Sequence, residues 1–249
     1  MNLPSPPPRA VCPPSLWMIA SAWGGALLFT WALGYFLYAY LVRFGRPVAP
    51  GPVLAPAVID LALFSAFALH HSLFARTGLK ARVRRVVPAV LERSFYAWVA
   101  SALLLAACWW WRPVPGVLYV LPDWAAWIGR AVQAAGIVLT FAGSRAIDVL
   151  DLAGVRPVLI ARRAKAAAHV PLMTSGVFGL VRHPLYLGWA LLVFGAPRMT
   201  ATRAVFALVS TGYLAIAIPW EERSLVDTFG ASYEAYRRQV RWRMVPYIY

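Results

Sequence analysis

The chain has 249 residues, 61% of them hydrophobic and only 13% charged, with a mean hydropathy of +0.64. Soluble domains carry about a quarter charged residues and under half apolar ones, so a water-soluble globule, a disordered chain and a collagen-like chain are excluded and a polytopic membrane protein remains. The 24 Lys and Arg against 9 Asp and Glu sit between apolar runs, which points to membrane topology and lipid contact; no separate basic domain exists to bind nucleic acid.

Residues 1–14 are Pro-rich and read as an N-terminal tail. A bilayer core needs about 20 apolar helical residues, and the first run, Ser15 to Val42, contains no charge. It is too long for a signal-peptide core and lacks a small-residue cleavage site, so it reads as an uncleaved span. The second run, Val53 to Ala75, carries Asp60, His70 and His71. The third, Arg93 to Trp111, ends in Trp109-Trp110-Trp111, a cluster suited to the headgroup region. The fourth covers Ala125 to Ser144 and includes Arg130. Pro184 to Ala196 is short, closed by Pro197 and tightly connected to Ala204 to Trp220, so these two predict a helical hairpin whose first arm does not fully span. The expected fold is an all-α bundle of about six spans: four in residues 15–144, then a C-terminal half, 145–249, of loop, hairpin and amphipathic tail helix.

The loops orient this bundle. Eighteen Lys and Arg fall on the side of the N-terminus and five on the other, which predicts both termini in the cytoplasm. Cys12 and Cys108 support neither a disulfide framework nor a thiolate metal site.

Charges at membrane depth are costly. Asp60 and Arg130 lie at similar depths from the same end of their spans, and the expectation is a structural ion pair, with a substrate or proton path as the alternative. His70 and His71 are adjacent and point about 100° apart on a helix. They cannot face one ligand together, and a haem or metal site would need His169 and His183 as well. Histidines hydrogen-bonded near the interface are the plainer expectation.

Residues 145–184 form the longest hydrophilic stretch. It ends in the turn-rich Thr174-Ser175-Gly176-Val177-Phe178-Gly179, followed by Val181-Arg182-His183-Pro184-Leu185-Tyr186-Leu187-Gly188-Trp189. Pro184 suits a first helical turn and holds His183 out of the α region. Gly188 would let a ligand or another helix come close. After the last run come Glu221-Glu222, Phe229-Gly230, Tyr233, Tyr236 and Val240 to Pro246. The hairpin should return both glutamates to the face of His183, where a cationic or polyhydroxyl ligand could sit between carboxylate, imidazole and aromatic rings. Phe229, Tyr233, Tyr236, Val240 and Met244 are spaced as one stripe of an amphipathic helix with Arg237, Arg238 and Arg241 outside it.

Arg182-His183-Pro184-x-Tyr186-x-Gly188-Trp189, followed by Glu221-Glu222-x-x-Leu225, Phe229-Gly230-x-x-Tyr233-x-x-Tyr236 and a late Val-to-Pro ending, resembles the isoprenylcysteine carboxyl methyltransferase superfamily. That superfamily of integral membrane enzymes includes phospholipid N-methyltransferases. Upstream, His71-Ser72-Leu73-Phe74-Ala75-Arg76, Glu92-Arg93-Ser94-x-Tyr96 and Trp110-x-Arg112-Pro113 resemble the branch of bacterial methanethiol S-methyltransferases, and Gly154-Val155-Arg156 answers a Gly-Leu-Arg there. The resemblance spans roughly residues 60 to 246.

It implies S-adenosylmethionine as cofactor, bound without a Rossmann domain; no GxGxG-type loop occurs in the chain. By position, Leu172, Met173, Phe178, His183, Pro184, Tyr186, Glu221 and Glu222 are the implied cofactor contacts, with the two glutamates undivided between ribose and amino group. Phe178 stands where many relatives have tyrosine, and His169 is one residue out of register. A thiol acceptor reacts as thiolate, so a local positive field or base is needed; His183 and Arg182, or Arg156, are candidates, and the chemistry calls for no metal. The implied acceptor is a small thiol such as methanethiol. A lipid or isoprenylcysteine carboxylate is the alternative within this chemistry, and a non-enzymatic membrane protein of the nitric-oxide-metabolism-associated type is the alternative outside it.

Overall fold

The computed structural model describes residues 13–74, 77–163 and 171–249. Five helices among them are long and apolar enough to cross a membrane, and a sixth apolar helix is shorter. The first span is α1 (Leu16–Tyr38), continued by a π-helical turn over Ala39–Arg43. It is followed by α2 (Leu54–Phe74), the short α3 (Thr77–Val83) and α4 (Glu92–Trp110). Strand β1 (Val117–Val120) precedes α5 (Asp123–Ile147), and the short α6 (Val149–Leu152) and α7 (Arg156–Arg162) come next. The hairpin is α8 (Pro184–Phe194), strand β2 (Arg198–Thr200) and α9 (Ala201–Phe229); α10 (Ala231–Gln239) begins the tail. The protein is an all-α polytopic membrane bundle, with the predicted spans in place.

The one sheet among the described residues was not expected. β1 and β2 pair antiparallel, Val120 opposite Arg198 and Val117 opposite Thr200, and this ribbon closes the end of the bundle opposite the tail. Two of the arginines there, Arg43 and Arg203, cap helix ends. Arg43 donates to the carbonyls of Cys108, Trp109 and Trp111 at 2.9–3.1 Å, and Arg203 to those of Tyr40, Leu41 and Arg198 at 2.6–3.0 Å. Carbonyls at a helix C-terminus have no helical partner and carry the negative end of the helix dipole, so a guanidinium is well placed there. Only Trp109 and Trp110 take the exposed position expected of the tryptophan cluster; Trp111 is buried against Phe44 and Phe206.

The core is aromatic. Phe36, Tyr40, Phe44, Phe64, Trp111 and Phe206 pack together from α1, α2, α9 and the end of α4, and Trp189 of α8 stacks on Phe36 at 4.6 Å. Glycines let the hairpin join this core. A Cβ at Gly136 would come within 2.5 Å of the Gly188 carbonyl oxygen, and one at Gly188 within 2.7 Å of the Gly136 carbonyl oxygen. α5 and α8 therefore meet backbone to backbone, as small residues allow in membranes. The neighbour that Gly188 admits is a helix.

The expected Asp60–Arg130 ion pair does not form. Asp60 is fully buried and accepts from the Arg112 backbone N–H at 2.7 Å, whereas Arg130 is exposed and lies over the Trp127 ring. Equal depth gave them one level in the bilayer, but the helices turn the two side chains in different directions. The tail stripe is also not one helix. α10 ends at Gln239; Phe229 belongs to α9, and Met244 packs with Ala190 and Ile218, away from Tyr233, Tyr236 and Val240.

Candidate active site

The Arg182-His183-Pro184 sequence makes a sharp entry into α8. Pro184 occupies the first helical turn, and His183 before it keeps a non-helical backbone, as a residue preceding proline must. The freed N–H groups of Arg182 and His183 donate to the carbonyls of Trp242 (2.9 Å) and Arg243 (2.8 Å). The tail thus lies along the segment that presents the imidazole, and both Arg182 and His183 are buried.

α9 runs through Pro219 and carries Glu221 and Glu222 in its final turns. Successive helical residues diverge by about 100°, and the two carboxylates have different surroundings. Glu222 is buried. Its Oε1 accepts from Arg182 Nε at 2.6 Å, and its Oε2 lies 3.4 Å from Arg243 Nε. Arg182 also donates to the carbonyls of Val240 and Arg241 at 2.8 Å each. Arg182 and Glu222 are therefore a clamp between α8, α9 and the tail, their charges answered by each other. Glu221 is nearly half exposed, with a side-chain accessibility of 44%. Its Oε2 accepts from the Tyr186 hydroxyl at 2.8 Å and lies 3.5 Å from His183 Nδ1. His183 Nε2 is buried without a hydrogen bond, 3.6 Å from Glu222 Oε1. The Tyr186 ring is stacked on the imidazole, centroids 5.3 Å apart.

The structure thus brings His183, Tyr186, Glu221 and Glu222 together, with Pro184 next to His183 in the chain, and groups Leu172, Met173 and Phe178 in an apolar cluster with Tyr233, Tyr236 and Val240. Tyr236 donates to the Phe178 carbonyl at 2.7 Å, which ties α10 to the loop before α8. Burial pushes the hydroxyls of both tail tyrosines up, that of Tyr236 to about 12. Beneath Glu222, a groove of about 340 Å³ opens between α9 and α10 and is bordered by Asp227, Glu234, Arg237 and Arg243. That volume is at the low end for small-molecule sites, roughly 300–1,000 Å³. Arg156 pairs with Asp148, away from this cluster. His169 lies outside the described residues.

Two upstream motifs join the same end of the bundle. Ser94 donates to the Gly154 carbonyl at 2.6 Å and Arg93 binds Asp151. Gly154 has φ +78, and a Cβ there would meet the Ser94 backbone at 2.6 Å, so Glu92-Arg93-Ser94 and Gly154-Val155-Arg156 are one contact. His70 and His71, expected to face apart, both meet Tyr96. The first stacks on its ring and the second bonds its hydroxyl, because a phenol is long enough to touch one residue with its face and the next with its tip. Nothing in the α2 sequence alone signals that partner.

The chain is a polytopic helical membrane protein that gathers a half-exposed carboxylate, an imidazole and a phenol at the foot of a short arm. Comparison with known proteins gives the family. The chain is 36% identical over 226 residues to methanethiol S-methyltransferase 2 of Bradyrhizobium diazoefficiens, covering 90% of this chain and 87% of that protein. It is 34% identical over 220 residues to methanethiol S-methyltransferase of Mycobacterium tuberculosis, covering 85% and 87%. A shorter stretch of 72 residues, 28% of this chain and 30% of the relative, is 36% identical to protein-S-isoprenylcysteine O-methyltransferase of Schizosaccharomyces pombe. No family-wide profile and no solved structure matches. The chain belongs to the methanethiol S-methyltransferase family and is a membrane methyltransferase.

Proposed function

We propose that this enzyme transfers a methyl group from S-adenosylmethionine to a small thiol, converting methanethiol to dimethyl sulfide, in a bacterial cytoplasmic membrane with both termini in the cytoplasm. The observation that carries the donor reading is the contrast between the twin acids. Glu222 has both oxygens beside arginines, whereas Glu221 keeps one oxygen unengaged and nearly half of its surface open. When bound, the donor supplies an activated methyl on a cationic sulfur. The residues present suit such a group: Glu221 accepts from an amino or ribose hydroxyl group, His183 Nε2 is buried 3.6 Å from Glu222 Oε1 without a hydrogen bond, and the Tyr186 face and the carboxylate favour positive charge. Pro184 sets the angle of His183, Arg182 and Glu222 hold the floor, and Leu172, Met173 and Phe178 close the side nearest the tail. Because the sulfonium charge disappears on transfer, catalysis rests on alignment in a dry site.

The thiol reading is supported by relatives that share most of their length with this chain and are named for methanethiol. Calorimetry of donor binding, with headspace dimethyl sulfide measured from the purified protein given methanethiol, tests both parts. Binding that is lost in Glu221→Ala and a volatile product from wild type support the reading. No donor binding by folded wild type sinks it, and donor binding with methylation of a prenylated cysteine or lipid alone replaces the acceptor.

A further inference from the structure

Beside Glu221 the bundle holds a second set of polar groups that donor binding leaves unused. His71 of α2 is hydrogen-bonded through Nδ1 to the Tyr96 hydroxyl of α4. One residue further along α2, the Ser72 hydroxyl lies 3.1 Å from that of Tyr213 on α9. Glu221 is within electrostatic reach of both Tyr96 and Tyr213, and Tyr186 of α8 is within reach of the same two tyrosines. Four helices therefore converge polar side chains on one place near the tail end of the bundle.

Their surroundings are aromatic and partly open. His71 is exposed, and Tyr96 and Tyr186 are half-buried between helices. Phe67 stacks on His71, Phe74 packs on Tyr96 and Phe64 meets Tyr213 edge on. An apolar surround with a few convergent polar groups is the usual form of a site for a small, weakly polar ligand.

We propose that this cluster is the methyl-acceptor site for a small alkyl thiol and that His71 is the base that takes the thiol proton. The inference rests on the thiol-methylation reading above and adds to it the acceptor's place and the base. The assignment requires the tautomer in which His71 Nδ1–H donates to the Tyr96 oxygen and Nε2 carries the lone pair. The S–H bond breaks with its proton going to Nε2. The thiolate's electron pair then forms the new S–C bond as the donor's C–S bond breaks and leaves its pair on the donor sulfur. The imidazolium afterwards returns its proton to water, and the product, an uncharged thioether, leaves through lipid. Tyr96 is a positioning residue that fixes the ring and its tautomer.

The test compares wild type, His71→Asn and Tyr96→Phe in lipid nanodiscs, with donor affinity measured by calorimetry and thiol turnover by headspace sulfide across pH. The ionisable groups around His71 are His70 on α2, Tyr96 on α4, Tyr186 on α8, and Tyr213 and Glu221 on α9; referring each variant to wild type at the same pH removes their common effect. His71→Asn should lower kcat/KM for the thiol about 100-fold near neutral pH, the lower end for a general base, with donor affinity kept within about threefold. That deficit should shrink as pH rises, because more of the thiol then ionises unaided. Tyr96→Phe should show a smaller deficit with the same trend. Wild-type turnover in His71→Asn, a deficit that does not change with pH, or loss of donor binding together with turnover overturns the assignment. Wild type that binds donor but methylates no alkyl thiol overturns the thiol reading itself, and this proposal with it.

Discussion

The two ends of the bundle use the same residue types to opposite purposes. At the sheet end, Arg43 and Arg203 spend their N–H groups on the carbonyls that close α1 and α4, and Asp60 takes a backbone N–H. At the tail end, the Arg182–Glu222 pair does comparable structural duty, but beside it Glu221 is half open and His183 has a buried nitrogen with no hydrogen bond, 3.6 Å from Glu222. Charge at membrane depth is therefore not in itself a sign of chemistry. The sign is charge or hydrogen-bonding capacity that the fold leaves unanswered next to charge that it has answered.

Substitutions that separate answered from unanswered groups sharpen this contrast. The largest effect is expected at the clamp. Glu222→Ala leaves Arg182 buried without its carboxylate, which costs about 3–5 kcal/mol; the thermal unfolding of the detergent-solubilised variant should shift far below wild type, and wild-type melting would refute the clamp. Next is Glu221→Gln, which keeps the shape and removes the charge. With about 1.5–3 kcal/mol for a hydrogen bond to a charged group, donor binding should weaken roughly ten- to a hundredfold with melting unchanged, measured by calorimetry and the same melt. Equal losses of stability in both variants would erase the distinction between the two acids.

Smaller effects map the scaffold. Gly188→Ala sets a Cβ against the Gly136 carbonyl oxygen at 2.7 Å and the Thr140 amide nitrogen at 2.9 Å, and overpacking of this kind costs about 1–3 kcal/mol; its melting temperature should fall and a second substitution cannot relieve a backbone contact. Tyr236→Phe removes the bond to the Phe178 carbonyl, about 1 kcal/mol. The same tyrosine predicts a pH dependence. Burial raises its hydroxyl from 10.0 to about 12, so the unfolded chain ionises first, and the stabilisation present below pH 10 is lost as pH rises toward 12. Wild-type melting should decline over that window, and Tyr236→Phe should decline less. Arg130→Ala should be the mildest, under about 1 kcal/mol for an exposed cation–π contact; a loss of several kcal/mol would restore a buried partner for Arg130.

What the sequence made legible follows from which properties are local. Charge-free runs mark spans because insertion depends on composition, and Pro184 and the doubled glutamates stand out because such residues are scarce in this chain. Depth along a span can be counted, but rotation about its axis cannot, so Asp60 and Arg130 were matched by level and face different neighbours. The same ambiguity hid which glutamate is open: it depends on α9 continuing helically through Pro219. Gly129, Gly136 and Gly143 recur every seven residues on α5 and face α8, a visible spacing that points to the helix seam. The β ribbon rests on four and three residues, too few for a pattern, and the bond of His71 to Tyr96 arises only when α2 meets α4.

The backbone bonds from residues 182 and 183 to residues 242 and 243 join the mouth of the membrane arm to a segment that emerges much later in synthesis. Both arms of the hairpin must be threaded into the bilayer, and the water-side tail folded back, before the imidazole has its final setting. The setting of the imidazole is thus completed at the close of assembly, and a proteolytic nick ahead of Trp242 would free the strap that holds residues 182 and 183 while leaving every membrane-crossing helix intact.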